Sequence, residues 1–152
     1  MMIIHGMDNC SFMNMALAEA EQAALSDEVP VGAVLLVDER IFRGHNRVIT
    51  ESDPTAHAEI IVIREAVRSI GNYRLTGACL FVTKEPCLMC AGAIVHARIA
   101  RLVFGARDER YGAAGSLVNA FALGLNHRPE VIPGVLEVEC GTLLKTFFQV
   151  RR

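Results

Sequence analysis

The pattern of apolar and polar positions predicts alternating helices and strands along the chain. Residues 11–25 place their apolar side chains on one helical face, and Ser26-Asp27 ends that segment. Two apolar runs, residues 31–37 and 41–45, flank a short polar turn and predict a β-hairpin. Beyond the hairpin, the pattern predicts helices over about 54–70 and 86–96, strands over 78–82, 101–106 and 130–132, a short helix over 117–123 and a last helix over 136–150.

Two prolines mark the expected starts of the second and third helices. Asp53-Pro54 and Glu85-Pro86 each place proline where a helix is expected to begin, and the first helical position tolerates a residue without an N–H group. Each strand–helix–strand crossover favours parallel neighbours in the sheet. The order of elements therefore predicts an α/β sandwich with a mixed sheet.

Length and composition are those of an ordinary globular protein. With 152 residues, 52% apolar and 21% charged, we expect a single domain over residues 1–152. No apolar run approaches the ~20 residues of a membrane-spanning helix. The first six residues lack the basic and apolar regions of a secretory signal. We therefore expect a cytoplasmic protein that does not enter a membrane.

The charge is distributed unevenly along the chain. A net charge of −2 excludes a uniformly basic surface for nucleic acid. Residues 1–42 carry −6 and the remainder +4, so a local basic face can form in the later part of the chain. The candidate phosphate contacts there are Arg98, Arg101, Arg107, Arg110, Arg151 and Arg152.

Three residues have the spacing of metal ligands. Cys87 and Cys90 are three positions apart, so a helix would place both sulfurs on one face. His57 lies 30 residues earlier at another expected helix start, and no convincing fourth ligand is nearby. Three protein ligands are typical of a catalytic zinc site, which keeps one position for water. The remaining cysteines, Cys10, Cys79 and Cys140, are expected to be buried thiols.

Glu59 is the candidate proton carrier beside this site. In mid-helix, its side chain and that of His57 would point about 200° apart, so the two can converge only at an irregular helix start. His-x-Glu with Pro-Cys-x-x-Cys is the known signature of the zinc nucleobase deaminases, and this chain carries both motifs. Either motif alone is common, because Cys-x-x-Cys is often a redox pair or half of a structural zinc site. The combination favours a catalytic zinc site.

Segments beyond the zinc motif carry a more specific resemblance, which extends from about residue 9 to residue 152. Those segments are residues 53–59, 72–75, 85–94, 105–108, 112–117 and 126–128. The chain resembles the bacterial tRNA-specific adenosine deaminases, within the cytidine/deoxycytidylate deaminase superfamily. This resemblance implies a three-layer α-β-α sandwich with a mixed, mostly five-stranded sheet. It also implies hydrolytic deamination of adenosine to inosine at the first (wobble) anticodon position, by zinc-activated water with Glu59 as the proton shuttle.

The resemblance also implies contacts with the substrate. Asn46 would hydrogen-bond the adenine edge, while Val29 and backbone groups near Ala58 would line the pocket. Asp108 would accept a hydrogen bond from a 2′-hydroxyl group, and Phe148 would stack on a base. The alternatives are a turn residue at position 46, a solvated acid at 108 and a core aromatic residue at 148.

The implied partners are a tRNA anticodon stem-loop and a second copy of the chain, with one zinc ion per subunit. Residues 112–116 are rich in glycine but lack the Lys-Ser/Thr ending of a P-loop, so no nucleotide cofactor is expected. His45, Val48 and Tyr111 depart from the family pattern around the expected RNA groove. Two other functions stay open: a free nucleobase or nucleotide deaminase of the guanine or cytosine type that uses the same zinc site, and a non-catalytic, zinc-stabilised RNA-binding subunit.

Overall fold

A computed structural model of the chain describes residues 7–151, and within them five strands form one mixed sheet. The strands are β1 (Gly32–Val37), β2 (Arg40–His45), β3 (Cys79–Lys84), β4 (Arg101–Ala106) and β5 (Glu130–Ile132), in the order β2-β1-β3-β4-β5. β1 is antiparallel to both neighbours, whereas β3, β4 and β5 are parallel. The helices are α1 (Asn9–Leu25), α2 (Ala58–Ile70), α3 (Leu88–His96) and α4 (Glu137–Val150).

The helices cover both faces of the sheet, which confirms the expected three-layer sandwich. Neighbouring residues of a strand point to opposite faces, so each strand supplies two apolar layers. One layer contains Leu35 and Leu80, which pack with α2 and α3. The other contains Val34 and Phe81, which pack with α1 and α4. Phe12 of α1 stacks on Phe81 with ring centroids 4.9 Å apart.

Gly32 allows α1 to approach β1 closely. A Cβ atom at this position would lie 1.9 Å from the carbonyl oxygen of Ala16 and 2.6 Å from the backbone nitrogen of Ala20. Helix backbone cannot move aside like a flexible side chain, so only glycine permits this contact.

The starts of α2 and α3 lie at the same edge of the sheet. α2 follows β2 and crosses over β1 to reach β3, and α3 connects the adjacent parallel strands β3 and β4. Both helices therefore begin just beyond the carboxyl ends of strands that run in the same direction. This edge is where open α/β sheets usually bind their ligands.

The prolines do not begin the helices, contrary to the expectation from the sequence. α2 begins at Ala58 because the Asp53 side chain accepts hydrogen bonds from the backbone and hydroxyl of Thr55, which forms a turn at residues 53–55. α3 begins at Leu88, since the carbonyl of Pro86 pairs with the backbone of Ala113 instead of opening a helix.

Three further details differ from the expectations or lie outside the described residues. The helix expected over 117–123 is only a single 3-10 turn, Ala120–Ala122. Cys10 is exposed rather than buried, while Cys79 is partly buried and Cys140 is buried. Arg152 and the first six residues lie outside the described range.

None of the helices described over residues 7–151 has the length and apolar character needed to cross a membrane.

Candidate active site

His57 and Cys87 are the N-cap residues of α2 and α3. Both have an extended backbone, with ψ angles of 155° and 175°, and neither side chain makes a capping hydrogen bond to its own helix. An N-cap side chain usually accepts hydrogen bonds from the first turn of its helix. Here the imidazole and the thiol instead face each other across the gap between the two helix starts.

The three expected ligands form one compact cluster. The His57 Nδ1 atom lies 3.6 Å from the Sγ atoms of both Cys87 and Cys90, and the three ligand atoms all lie within 4.8 Å of one another. Ordinary Zn–N and Zn–S bond lengths at a tetrahedral angle place nitrogen and sulfur about 3.6 Å apart. The geometry and the sulfur–sulfur–nitrogen donor set therefore both fit zinc.

The cluster favours a thiolate at Cys87. The pKa of Cys87 is lowered to about 4 because the Cys90 thiol and the His57 ring donate hydrogen bonds to its sulfur. The same interaction raises the pKa of Cys90, which is the donor, and of His57. Zinc binds thiolates, so metal binding at this cluster has to release the remaining thiol proton.

Glu59 lies in the first turn of α2 and lines the same cavity as His57 and Cys87. The side chains of His57 and Glu59 converge at the start of α2, where the backbone is not yet regularly helical. Glu59 is 4% exposed, and burial raises the pKa of its carboxyl group. A carboxyl group at this position can act as a proton carrier beside the cluster.

The cavity above these residues has a volume of about 540 Å³, which lies within the usual range for small-ligand sites. One wall is formed by the loop between β2 and α2, through Asn46, Val48 and Ile49. The opposite wall comes from Asp108 and Tyr111, after β4. Among the described residues, the lining is completed by Glu28, Val29, Val31, Lys84 and Glu85.

Asn46 connects the loop between β2 and α2 to the start of α2. It is buried, and its Oδ1 atom accepts a hydrogen bond of 2.7 Å from the backbone of Ala58. The bond holds the first amide of α2 and leaves the Asn46 Nδ2 group as the donor available to a ligand. Val29 lines the cavity, as do His57 and Glu59 on either side of Ala58. The side chain of Ala58 is in the core, and its N–H group donates to Asn46.

Asp108 is not a freely solvated loop acid. Its Oδ2 atom lies 3.0 Å from the Lys84 Nζ atom, and its Oδ1 atom accepts hydrogen bonds from the backbones of Arg110 and Tyr111. Burial opposes ionisation, but Lys84 and these donors outweigh it and lower the pKa of Asp108. Lys84 was not a candidate from the sequence, although a lysine that ends an apolar strand is a signal for one.

Phe148 lies on α4 and does not line the cavity. Its ring is half exposed and packs edge-on against buried Phe147, with centroids 5.3 Å apart. One aromatic residue of this pair is therefore in the core, and the other is accessible.

The candidate phosphate contacts divide into paired and unpaired arginines. Arg101 pairs with Glu130, Arg151 pairs with Asp27, and Arg98 donates a hydrogen bond to Asn126. Arg107 and Arg110 are exposed and have no ion pair within residues 7–151; Arg110 also lies over the ring of Tyr111.

Two buried carboxylates, Glu28 and Glu85, were missed from the sequence. Glu28 accepts hydrogen bonds from the backbones of Ile49 and Thr50 and from the Thr50 hydroxyl, at 3.1, 2.6 and 2.8 Å. Glu85 accepts them from the backbones of Asp108, Ala114 and Ser116 and from the Ser116 hydroxyl. Their only signal in the sequence is an acid next to an apolar, proline-containing segment at a strand end.

The glycine-rich segment over 112–116 wraps around Glu85. A Cβ atom at Gly112 would lie 2.4 Å from the Glu85 Cδ atom and 2.5 Å from the carbonyl oxygen of Asp108. The small residues therefore permit close packing of the backbone around this carboxylate.

Comparison with known proteins finds a family with a zinc-binding region and several similar sequences. Residues 7–106 match the model of the cytidine and deoxycytidylate deaminase zinc-binding region. The tRNA-specific adenosine deaminase of Haemophilus influenzae is 54% identical over 92% of this chain and 83% of its own length. That of Bacillus subtilis is 48% identical, over 93% and 89% respectively.

Solved structures agree with the fold and the sequence relationship. One, from a study of A-to-I editing by tRNA:A34 deaminases at the wobble position of transfer RNA, has a TM-score of 0.85 and 50% identity over 88% of this chain and 98% of that one. A guanine deaminase from Nitrosomonas europaea has a TM-score of 0.78 at 22% identity, over 91% of this chain and 83% of its own, and so shares the fold. The matched zinc-binding region and the close relatives establish that this chain belongs to the cytidine and deoxycytidylate deaminase family.

Proposed function

We propose that this protein hydrolyses adenosine to inosine at the first (wobble) position of a tRNA anticodon. The observation that carries this proposal is the cluster of His57, Cys87 and Cys90. Two of these residues, His57 and Cys87, line one cavity together with the buried Glu59. The tRNA-specific adenosine deaminases that are 54% and 48% identical to the chain support the choice of substrate. A zinc site that only stabilised an RNA-binding fold would not need a buried carboxyl group beside it.

The reaction adds one water, breaks the bond between C6 and its amino nitrogen, and releases ammonia, leaving a carbonyl at C6. Zinc held by His57, Cys87 and Cys90 would supply the Lewis acid that makes water a nucleophile at neutral pH. Glu59 accepts a proton from the attacking water and delivers it to N1 of the adenine. Glu59 then accepts the second proton from the hydroxyl group on C6 and delivers it to the leaving amino group, which departs as ammonia while the carbonyl forms. The raised pKa of Glu59 lets the carboxyl group hold the proton between these steps.

The side chains around the cavity orient the base. The Asn46 Nδ2 group donates to an acceptor on the purine edge, and Val29 packs against the ring. C6 cannot be reached in a base stack, so the nucleotide has to leave the anticodon loop and enter the cavity. Asp108, fixed by Lys84, accepts a hydrogen bond from the ribose 2′-hydroxyl.

The guanidinium groups of Arg107 and Arg110 are exposed and form no ion pair with the residues that the structure describes, and they provide the contacts to phosphate. They follow β4 and border the Asp108 wall, so the anticodon backbone would pass over this rim. Phe148 lies on α4 outside the cavity, and it stacks on a base only if the RNA extends over that helix.

We also propose a homodimer. Exposed apolar side chains lie at the start of α3 and in the segment over 117–125, and α3 contacts the 3-10 turn of that segment. These side chains are Leu88, Met89, Leu117, Val118, Leu123 and Leu125. Analytical ultracentrifugation of the zinc-loaded protein should give the mass of two chains, and Leu123→Glu with Leu88→Glu should shift it to one.

A panel of substrates tests the proposed activity. Zinc-loaded protein is given an anticodon stem-loop with adenosine first, the same loop with adenosine second, and free adenosine, guanine and cytosine. We expect inosine only from the loop with adenosine first. Ammonia from a free base alone would assign the site to a small-molecule deaminase, and RNA binding without any product would assign it to a binding subunit.

A further inference from the structure

Glu28 is a buried carboxylate that the proposed chemistry does not use. It is 2% exposed, and its three hydrogen bonds come from Ile49 and Thr50. No lysine or arginine pairs with it within residues 7–151. His45 also favours the charged carboxylate, but the donors are the groups that contact it. A buried charge that is stabilised mainly by such donors depends on their remaining in place.

These donors belong to the wall of the cavity. Val48 and Ile49 line the cavity within the loop between β2 and α2. Ile49 is 67% exposed and Thr50 is also exposed, so burial in the core does not hold this part of the loop. The loop is closed internally by the bonds from Ser52 to Ile49 and from Asp53 to Val48, which fix its shape but do not attach it to the body of the protein.

Glu28 itself is attached to a rigid element. Its backbone nitrogen donates a 2.9 Å hydrogen bond to the carbonyl oxygen of Ala23, in the last turn of α1. The next residue, Val29, lines the cavity beside it. The bonds of Asn46 to Val31 and of Asp53 to Arg64 attach the two ends of the loop, and the Glu28 carboxylate connects its exposed middle, at Ile49 and Thr50, to the end of α1.

We propose that Glu28 is a positioning residue that holds the segment over 48–50 as a fixed wall of the cavity and thereby determines how tightly the substrate base is bound. The proposal rests on the proposed function for its kinetic consequence. Glu59 and Asn46 are proposed to contact the base, whereas Glu28 lines the same cavity but acts through the backbone of Ile49 and Thr50.

The test replaces Glu28 with glutamine, which keeps the size of the side chain. One carboxylate oxygen becomes an NH₂ group, which cannot accept the hydrogen bonds from Ile49 and Thr50. Losing one or two hydrogen bonds to a buried charge corresponds to a factor of about 10 or more in local stability, so amide exchange at Ile49 and Thr50 should accelerate at least about tenfold. KM for the anticodon stem-loop should rise by about tenfold, with kcat changed less than about threefold and zinc content unchanged.

A matched control lies in the same loop. Glu51→Gln removes a carboxylate that pairs with Arg47 within the loop and does not attach the loop to the body. This variant should leave KM and the exchange rates of Ile49 and Thr50 unchanged. A second pair keeps the test usable if Glu28→Gln fails to fold: Thr50→Val should raise KM and Thr50→Ser should restore it, because only serine retains the hydroxyl donor.

The possible outcomes separate the hypotheses. Unchanged exchange at residues 49–50 in Glu28→Gln would overturn the proposal, and so would a large loss of kcat at constant KM, which would place Glu28 in the chemical step. If the wild-type protein forms no inosine, the proposed function fails. In that case the exchange measurement still tests whether Glu28 holds the wall.

Discussion

At the scale of single residues, Asn46 has two separable roles. Its Oδ1 atom accepts a hydrogen bond from the first amide of α2, and its Nδ2 group faces the cavity. The first role positions His57 and Glu59, which bracket that amide. We propose that the second role is recognition of the base.

Two substitutions at Asn46 should separate these roles. Asn46→Ala leaves the buried amide of Ala58 without a partner and should cost about 1–3 kcal/mol of unfolding free energy, measured by urea denaturation. Asn46→Asp keeps the acceptor and should unfold close to wild type, yet it loses the amide donor and with it deamination of the stem-loop. Equal activity in Asn46→Asp and wild type would contradict the recognition role.

Glu28 should also make stability depend on pH. Burial opposes its ionisation, but the hydrogen bonds from Thr50 and Ile49 outweigh it and hold the pKa of Glu28 below its ordinary value of 4.5. Because the folded pKa is the lower one, the stabilisation is complete above about pH 4.5 and is lost as the pH falls through the folded pKa.

Urea denaturation between pH 3 and 7 checks this sign. Glu28→Gln should be less stable than wild type by about 1–3 kcal/mol at pH 7, and the difference should shrink below pH 4.5. A difference that grows toward low pH would contradict the assignment.

The ligands could be predicted from the sequence because their signal is local. Cys87 and Cys90 share a helical face at a spacing of three, and His57 and Glu59 need only a helix start to converge. Glu28, Glu85 and Lys84 carry no comparable signal. Their roles depend on loops brought against them by the fold, at sequence separations of 21 to 31 residues.

At the scale of elements, the site is formed by two helix starts and two loops. The starts of α2 and α3 were expected at the prolines, but turn hydrogen bonds at Asp53 and strand-like pairing at Pro86 delay them. This delay makes His57 and Cys87 N-caps rather than residues of the first turn. An N-cap has an extended backbone, so its side chain can turn toward the opposite helix.

The loop after β4 depends on the close fit between Gly112 and Glu85. Gly112→Ala would force the Cβ atom against a buried carboxylate and backbone, and should lower the unfolding free energy by about 1–3 kcal/mol. Gly92→Ala in α3 is the control, because nothing lies within 4 Å of its added Cβ atom, and it should be neutral or slightly stabilising. Equal stability of both variants would contradict this packing.

At the scale of the whole molecule, the strand order follows from the crossovers and the antiparallel hairpin. The sequence pattern predicted the sandwich because apolar periodicity and proline positions are local features. The sequence pattern could not predict which arginines form ion pairs, because the pairs of Arg101 with Glu130 and of Arg151 with Asp27 exist only in the folded chain. The separation of Arg151 and Asp27, 124 residues, shows how little of this pairing is local.

RNA binding should therefore depend on few phosphate contacts. Replacing Arg107 and Arg110 together with glutamine should weaken binding of the stem-loop and reduce the slope of log K against log salt by about 1–2. Arg101→Gln should leave the slope unchanged, because this guanidinium is already paired with Glu130. Fluorescence anisotropy over a salt series measures both; equal slopes in all three proteins would contradict the location of the RNA path.

We propose that His57, Cys87 and Cys90 hold the zinc ion and that Glu59 carries the proton when adenosine is deaminated. The most direct measurement is single-turnover inosine formation on an anticodon stem-loop with adenosine first, for the zinc-loaded wild type and Glu59→Ala. Both proteins should contain one zinc per chain, and the variant should lose at least about 100-fold in rate because its proton carrier is missing. A Glu59→Ala protein that retains zinc and converts adenosine at a near-normal rate would contradict the account.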